Sequence, residues 1–358
     1  VKGFQDFLPP ESLRRKEIIK LIEKYFKLYG FLPVETPLVE FDELMRQDSL
    51  KEEDQAVSDR FRLKDRAGRN LGLRYEFTFQ LSRILKQNPN IKMPFRRYQI
   101  GPVFRDEPIA SNRFRQFTQC DADIIGSSGI EAEAELLALI TDILKALGIE
   151  AEIQVSSRKL LTSLIESVQI EQKENVMREL DKLEKLGEDA VKVNIKKYTS
   201  PNQVITLFKL LEKDLNFFKE NAFDGAEEIA ELIKKCKPYG IKVKFNQYLA
   251  RGLSYYTGNI FEIVSPEKKE SIAAGGRYDN LIGKFLNREI PAVGISFGLE
   301  RISQLAKISL APSTKVLLIS IEEDAETIKL AKKLRKSNIP TITASGNPSK
   351  QLEYANSQ

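Results

Sequence analysis

Residues 113–126 alternate in a way that only a strand in a sheet can use. Successive side chains of a strand point to opposite faces. Arg113, Arg115, Phe117, Gln119, Asp121 and Asp123 therefore share one face, and Phe114, Thr118, Cys120, Ala122 and Ile124 share the other. The second set belongs against a core. The first is charged at both ends with an aromatic ring between. A solvated face is the ordinary reading of a half-polar strand. Here, however, positive groups gather at one end and negative groups at the other. The preceding strand, 95–104, leads straight into another basic residue, Arg105. Arginines suit phosphates, which they hold through forked, charge-assisted bonds. Carboxylates suit a cationic group, and Phe117 between them offers a face to a base.

Other segments supply partners for such a strand. Residues 95–104 pair with it across a turn-rich loop, Pro108-Ile109-Ala110-Ser111-Asn112. Residues 61–80 read as strand, turn (Arg66-Ala67-Gly68-Arg69-Asn70) and strand. An amphipathic helix over 12–29 opens after Pro9-Pro10 and closes at Gly30, and a second helix covers 130–147. Residues 158–238 turn Lys/Glu-rich and helix-patterned, as a helical insertion would. Strand pattern returns over 241–264, at Ser271–Ala274 and at Ala292–Phe297. Two of these stretches carry glycines beside an arginine: Arg251-Gly252 with Gly258, and Gly275-Gly276-Arg277. Glycine weakens a strand unless something must approach its backbone closely, so a substrate floor is expected there. Gly294-Ile295-Ser296-Phe297-Gly298-Leu299-Glu300-Arg301 reads as a strand, a glycine and a helix start. After a linker at Ala311-Pro312-Ser313-Thr314, the run 315–321, a helix over 324–337 and Thr341–Thr343 open an α/β domain. The expected fold is α+β: an antiparallel sheet flanked by helices over 1–157 and 239–310, interrupted by a helical insertion over 158–238, with a partial α/β domain over 315–358.

Composition removes several chemistries. Among 358 residues there is no histidine, so no Ser-His-Asp system, His-ligated zinc site or imidazole base can exist. Two distant cysteines, Cys120 and Cys236, exclude CxxC redox and Cys₄ zinc motifs and suit a reducing cytoplasm. No GxGxxG follows a strand, and no GxxxxGK[ST] occurs. A nucleotide would have to lie on an antiparallel sheet among arginines. The net charge of +5 permits a nucleic-acid partner without demanding one. No apolar run reaches the ~18 residues of a membrane span, and the opening residues lack a signal-peptide pattern.

These motifs together resemble the class II aminoacyl-tRNA synthetases. The helix ending in Gly30-Phe31 and leading to Pro37, the run Phe104-Arg105-Asp106-Glu107 to Phe117, and Gly294 to Arg301 are similar to the three class II motifs. Arg251-Gly252-Leu253-Ser254-Tyr255-Tyr256-Thr257-Gly258 and Ala273-Ala274-Gly275-Gly276-Arg277-Tyr278-Asp279 resemble the two signatures of the histidyl-tRNA synthetase family. The first signature usually carries Asp where this chain has Ser254. The resemblance implies ATP and Mg²⁺, histidine and its tRNA as ligands, and a homodimer built by the first motif. It implies that Glu76, Thr78 and Gln119 hold the α-amino group. Asp123 and Tyr256 would contact the imidazole, with Tyr255 lining the same pocket. Arg105 would bind the α-phosphate, Phe117 would stack on adenine, and Arg113 and Arg301 would hold the outer phosphates. Arg251 would stabilise charge at the α-phosphate, with Glu107 a contact for Mg²⁺. The alternative is a non-catalytic paralogue, the histidine-sensing regulatory subunit of ATP phosphoribosyltransferase.

Overall fold

The computed structural model describes residues 1–45, 59–109, 113–250, 255–267, 270–283, 289–310 and 315–356. Contacts divide the chain into two units, Val1–Ile308 and Ser309–Gln358.

The first unit is organised by a large sheet. Its strands, with a small three-stranded sheet between them in sequence, are β1 (Leu32–Pro33), β2 (Val39–Phe41), β3 (Arg62–Lys64), β4 (Asn70–Leu73), β5 (Phe95–Phe104), β6 (Gln116–Ile125), β7 (Glu152–Ser157), β8 (Val243–Phe245), β9 (Asn259–Ser265), β10 (Glu270–Arg277) and β11 (Ala292–Gly298). The large sheet runs β1-β5-β6-β11-β10-β9-β7-β8. Its six central strands are antiparallel, and a short parallel strand, β1 or β8, flanks each edge. Strands β2, β4 and β3 form the small antiparallel sheet.

Alternation along the central strands separates two apolar clusters. Ile124, Val293 and Phe261 join the large core, where the helices Glu11–Leu28 and Glu131–Ala146 bury Ile18, Ile22, Phe26, Leu136, Leu137 and Ile140. Their strand neighbours Ile125, Ala292 and Ile260 face the other way into a smaller cluster with Tyr75, Phe79, Tyr255, Tyr256 and Tyr278. The helices between Arg158 and Cys236 pack into the large core through Leu160, Leu164, Leu207 and Ile229, so they belong to the same compact unit. Ser200 starts one of them with a reciprocal capping box to Gln203, and Pro201 takes the first helical position.

Two expectations need correction. The second strand of 61–80 ends at Leu73, and a helix runs from Phe79 to Gln87. Phe79, Leu81 and Leu85 of that helix are buried against the short helix Asp279–Gly283. Tertiary burial overrides the strand-like Phe77-Thr78-Phe79 alternation. Likewise, 241–264 is not continuous strand: the described residues 246–250 and 255–258 lie between β8 and β9 in no strand. There Leu249, Tyr255 and Tyr256 leave the sheet to join the smaller cluster. Residues 110–112 of the expected loop and the linker 311–314 lie outside the described residues.

In the second unit, β12 (Val316–Ser320) and β13 (Thr341–Ser345) pair in parallel, joined by the helix Asp324–Lys336, and the helix Pro348–Asn356 follows.

Candidate functional site

The face of the sheet opposite the large core carries a polar floor. Register places Arg97 of β5 beside Asp123 of β6, beside Gly294 of β11, beside Gly276 of β10. The next row is Gln99, Asp121 and Ser296; the next is Gly101, Gln119 and Gly298. Phe117 comes last, opposite Val103. Glycines hollow this floor because protein groups approach their backbones. A Cβ on Gly294 would lie 2.0 Å from Oδ1 of Asp123, and one on Gly276 would lie 2.8 Å from the Tyr256 ring.

The floor is not solvated. Gln119, Asp121 and Asp123 are all at least nine-tenths buried, and Arg97 is wholly so. Arg97 Nη2 sits 2.6 Å from Oδ2 of Asp123. The Tyr278 hydroxyl donates to the other oxygen of that carboxylate. Glu76, on the segment entering the helix Phe79–Gln87, accepts a bond of 3.1 Å from the Tyr255 hydroxyl. Gln119 Nε2 donates to Ser296 Oγ at 2.7 Å. Among the described residues, Glu76 Oε1, Gln119 Oε1 and Asp121 Oδ1 are buried acceptors with no hydrogen-bond partner. Buried acceptors left unmade are costly, and three of them suit a ligand that brings N–H donors. Thr78 is buried beside them, and its side chain makes no capping bond although it precedes the helix.

Electrostatics agree. Burial pushes the Glu76 carboxyl up to about 7, against the pull of Arg105 and the Tyr255 bond. Burial pushes Asp121 up to about 8, with Arg97 pulling down and Asp123 pushing up. Asp123 is raised by burial as well, and Arg97 and Tyr278 hold it lower than burial alone would. Unfolded carboxyls titrate near pH 4. At these two carboxyls the folded, ligand-free protein therefore binds more protons than the unfolded chain from about pH 4 to about pH 8. The site's contribution to stability is complete at the acid end and is lost as pH rises through 7 and 8. Thermal melts of the ligand-free protein should fall between pH 5.5 and 8.5, and Asp121→Asn should flatten that fall. A wild-type slope of the opposite sign, unaltered by Asp121→Asn, would refute it.

The other end of the floor is cationic. The Arg105 guanidinium lies 4.3 Å from the Tyr75 ring centroid and 5.1 Å from that of Phe117. Glu107 is 3.8 Å from Arg105 and 3.7 Å from Arg113, and accepts a long bond of 3.5 Å from the Tyr75 hydroxyl. Arg113 is more than half exposed. The field of Arg105 at Glu76 ties this end to the carboxylate end. Arg301 donates to the Ser271 carbonyl at 2.6 Å. Its neighbour Glu300 accepts from Thr118 N and from Arg15, which fixes Arg301 at the Phe117 end of β6.

The structure thus gathers Glu76, Thr78, Gln119, Asp123, Tyr255 and Tyr256 around one end and Arg105, Glu107, Arg113 and Phe117 around the other. Arg251 and Ser254 lie outside the described residues. Arg277 does not reach the floor. Its guanidinium binds Glu133 at 2.6 Å and the Ser127 and Gly129 carbonyls, pinning the start of the helix Glu131–Ala146. Arg97 and Ser296 were not expected as site residues. The signal for Arg97 was hairpin register, which sets it across from Asp123.

The family model for histidyl-tRNA synthetase matches residues 3–302. The chain belongs to this family. A relative named histidine–tRNA ligase 1, from Bacillus cereus, is 36% identical over all of this chain and 87% of its own length. Another, histidine–tRNA ligase of Aeropyrum pernix, is 36% identical over 84% of this chain and 72% of its own. The crystal structure of histidyl-tRNA synthetase from Nostoc sp. PCC 7120 superposes with a TM-score of 0.83 at 28% identity, covering 100% of this chain and 89% of that one. A Bacillus halodurans protein described as an ATP phosphoribosyltransferase regulatory subunit/histidyl-tRNA synthetase has a TM-score of 0.85 at 23% identity, over 99% of this chain and 95% of that one. That likeness concerns the fold alone. In this histidyl-tRNA synthetase family member, no helix among the described residues is long and apolar enough to cross a membrane.

Proposed function

We propose that the chain activates histidine with ATP and then transfers it to the 3′ end of its tRNA. The observation that carries this reading is one continuous floor with unsatisfied buried acceptors at one end and arginines at the other. Glu76, Thr78 and Gln119 take the α-ammonium. Asp123 and Tyr256 meet the imidazole, and Tyr255 closes the pocket while holding Glu76. The histidine carboxylate is already ionised at neutral pH, so no base is needed, and a chain without histidine is no worse equipped. One carboxylate oxygen attacks the α-phosphorus, the bond to the departing pyrophosphate breaks, and histidyl-adenylate remains. The protein's part is alignment and charge neutralisation. Arg105 serves the α-phosphate, Arg113 and Arg301 the outer phosphates, and Phe117 faces adenine. Sequence assigns Arg251 to the α-phosphate as well. Mg²⁺ bound with ATP would supply charge neutralisation at the phosphates. It commonly keeps only one or two protein carboxylates, and Glu107, loosely paired at 3.7–3.8 Å, fits that need. In the second step the terminal ribose hydroxyl of the tRNA displaces AMP, and the helical segment 158–238 is assigned to the tRNA acceptor arm. Exposed Leu32, Val39, Phe41 and Leu63 on β1, β2 and β3 support a homodimer, which the family resemblance assigns to the cytoplasm.

Histidine-dependent exchange of pyrophosphate into ATP tests the reading. Exchange supports the synthetase. Histidine binding without exchange supports the regulatory paralogue. Neither exchange nor binding overturns both.

A further inference from the structure

The three carboxylates under the amino-acid end share a single fully buried guanidinium. Arg97 has the largest side chain with essentially no exposure in the described chain. Its Nη2 forms an ion pair at 2.6 Å with Asp123, and none of its three nitrogens makes a well-aligned hydrogen bond among the described residues. Asp123 is therefore gripped at both oxygens, by Arg97 from β5 and by the Tyr278 hydroxyl just after β10.

Such a pair is a poor way to hold a sheet together. Burying two charges costs several kcal/mol per ion, and an apolar pair of similar volume commonly does as well or better. Strands β5 and β6 are already joined along ten paired residues. The ion pair also lies on the floor face, not the large-core face. What a guanidinium supplies there, and an apolar residue could not, is a fixed positive charge behind the carboxylate. An ionised carboxylate is an acceptor only, whereas a protonated one also donates. Asp123 can read a ligand N–H unambiguously only while it stays ionised.

We propose that Arg97 is a positioning residue that keeps Asp123 ionised and aimed at the ligand's imidazole N–H. The proposal rests on the reading of Asp123 as an imidazole contact. Asp121 lies two residues along the same face, in the fields of Arg97, Arg74, Asp123 and Glu76, with Ser296 bonded to it. Glu76, facing from the segment before the helix Phe79–Gln87, adds a third negative group and is itself drawn towards Arg105. One buried cation thus answers to several anions. Removing Arg97 must push the Asp123 carboxyl up.

The test is histidine affinity from pH 5.5 to 9, read both as KM in pyrophosphate exchange and by calorimetry on the full chain. Titration of free histidine is common to every variant, so differences report the protein. Arg97→Met is expected to raise the histidine KM about 10- to 100-fold, the usual cost of losing a partner that orients a ligand-binding group. The KM for ATP stays as in the wild type. The acid limb of histidine affinity moves up by about one pH unit or more, as loss of a neighbouring opposite charge dictates. Arg97→Lys, which keeps the charge but not the fork, recovers part of the affinity. A purely structural Arg97 would lower the melting temperature and the active fraction while leaving the histidine KM and the acid limb in place, and that result overturns the proposal. If Arg97→Met does not fold, Arg97→Gln, which keeps a donor but no charge, decides: an acid limb that stays in place overturns it. A wild-type protein without exchange refutes the synthetase reading instead, and the calorimetric profiles still judge Arg97.

Discussion

Arg105→Ala is expected to lower kcat/KM for histidine-dependent pyrophosphate exchange by about 100- to 1,000-fold, the scale on which lost transition-state charge stabilisation is measured. Arg105 is held by faces more than by bonds. Two rings flank it at 4.3 and 5.1 Å, and its contacts to Glu107 and to the Tyr75 carbonyl are long, 3.8 and 3.5 Å. The rings fix its position, while its donors stay free for a phosphate. Arg105→Lys should recover only a part, because an ammonium lacks the planar fork and stacks poorly. Histidine affinity should fall far less than exchange. It should still fall slightly, because Arg105 draws the Glu76 carboxyl down towards its ionised form. Parallel loss of histidine binding and exchange would make Arg105 a wall of the amino-acid pocket and remove it from the phosphate.

How much of this was visible in the sequence depended on whether a residue's role is local. Gln119 and Asp123 stood out because alternation within a single strand separates them from Cys120, Ala122 and Ile124. The glycine at 276 stood out as a place of close approach, and the structure names the approaching groups as Tyr256 and the Asn259 carbonyl; Gly294, which Asp123 approaches, did not stand out. Arg97 was hidden by its neighbour. Arg96 and Arg97 are adjacent and chemically alike, yet Arg96 pairs with Glu135 on the helix side and Arg97 with Asp123 on the floor. Only the register of β5 against β6 tells them apart. Arg277 misled for the converse reason: it follows the glycine pair, but its partners Glu133, Ser127 and Gly129 are some 150 residues away in sequence. Tyr255-Tyr256-Thr257 carries strong strand propensity, and packing over the floor overrides it. Long-range register and tertiary burial, not residue type, account for each of these differences.

Two glycines of β11 supply a matched pair of substitutions. Both lie on the floor face, Gly294 opposite Asp123 and Gly298 opposite Gln119. Among the described residues, a methyl on Gly298 meets nothing within 4 Å, whereas one on Gly294 meets Oδ1 and Cγ of Asp123 at 2.0 and 2.9 Å. Gly294→Ala must therefore displace the carboxylate from its place between Arg97 and Tyr278. Breaking a buried ion pair costs about 3–5 kcal/mol. Even half of that appearing in ligand binding weakens affinity more than about tenfold, and losing the imidazole acceptor adds to it. We expect histidine binding to Gly294→Ala to fall at least about 100-fold, with a lower melting temperature. Gly298→Ala should melt at or slightly above the wild type, since alanine loses less chain entropy than glycine in a strand. Its histidine affinity should be unchanged. Because no described residue lies within 4 Å of that methyl, any loss there should appear in the KM for ATP, at the arginine end. Calorimetric titration of both variants with histidine makes the comparison directly. Wild-type affinity in Gly294→Ala would mean that Asp123 does not need its place over that glycine, and the imidazole contact would have to be sought elsewhere on the floor.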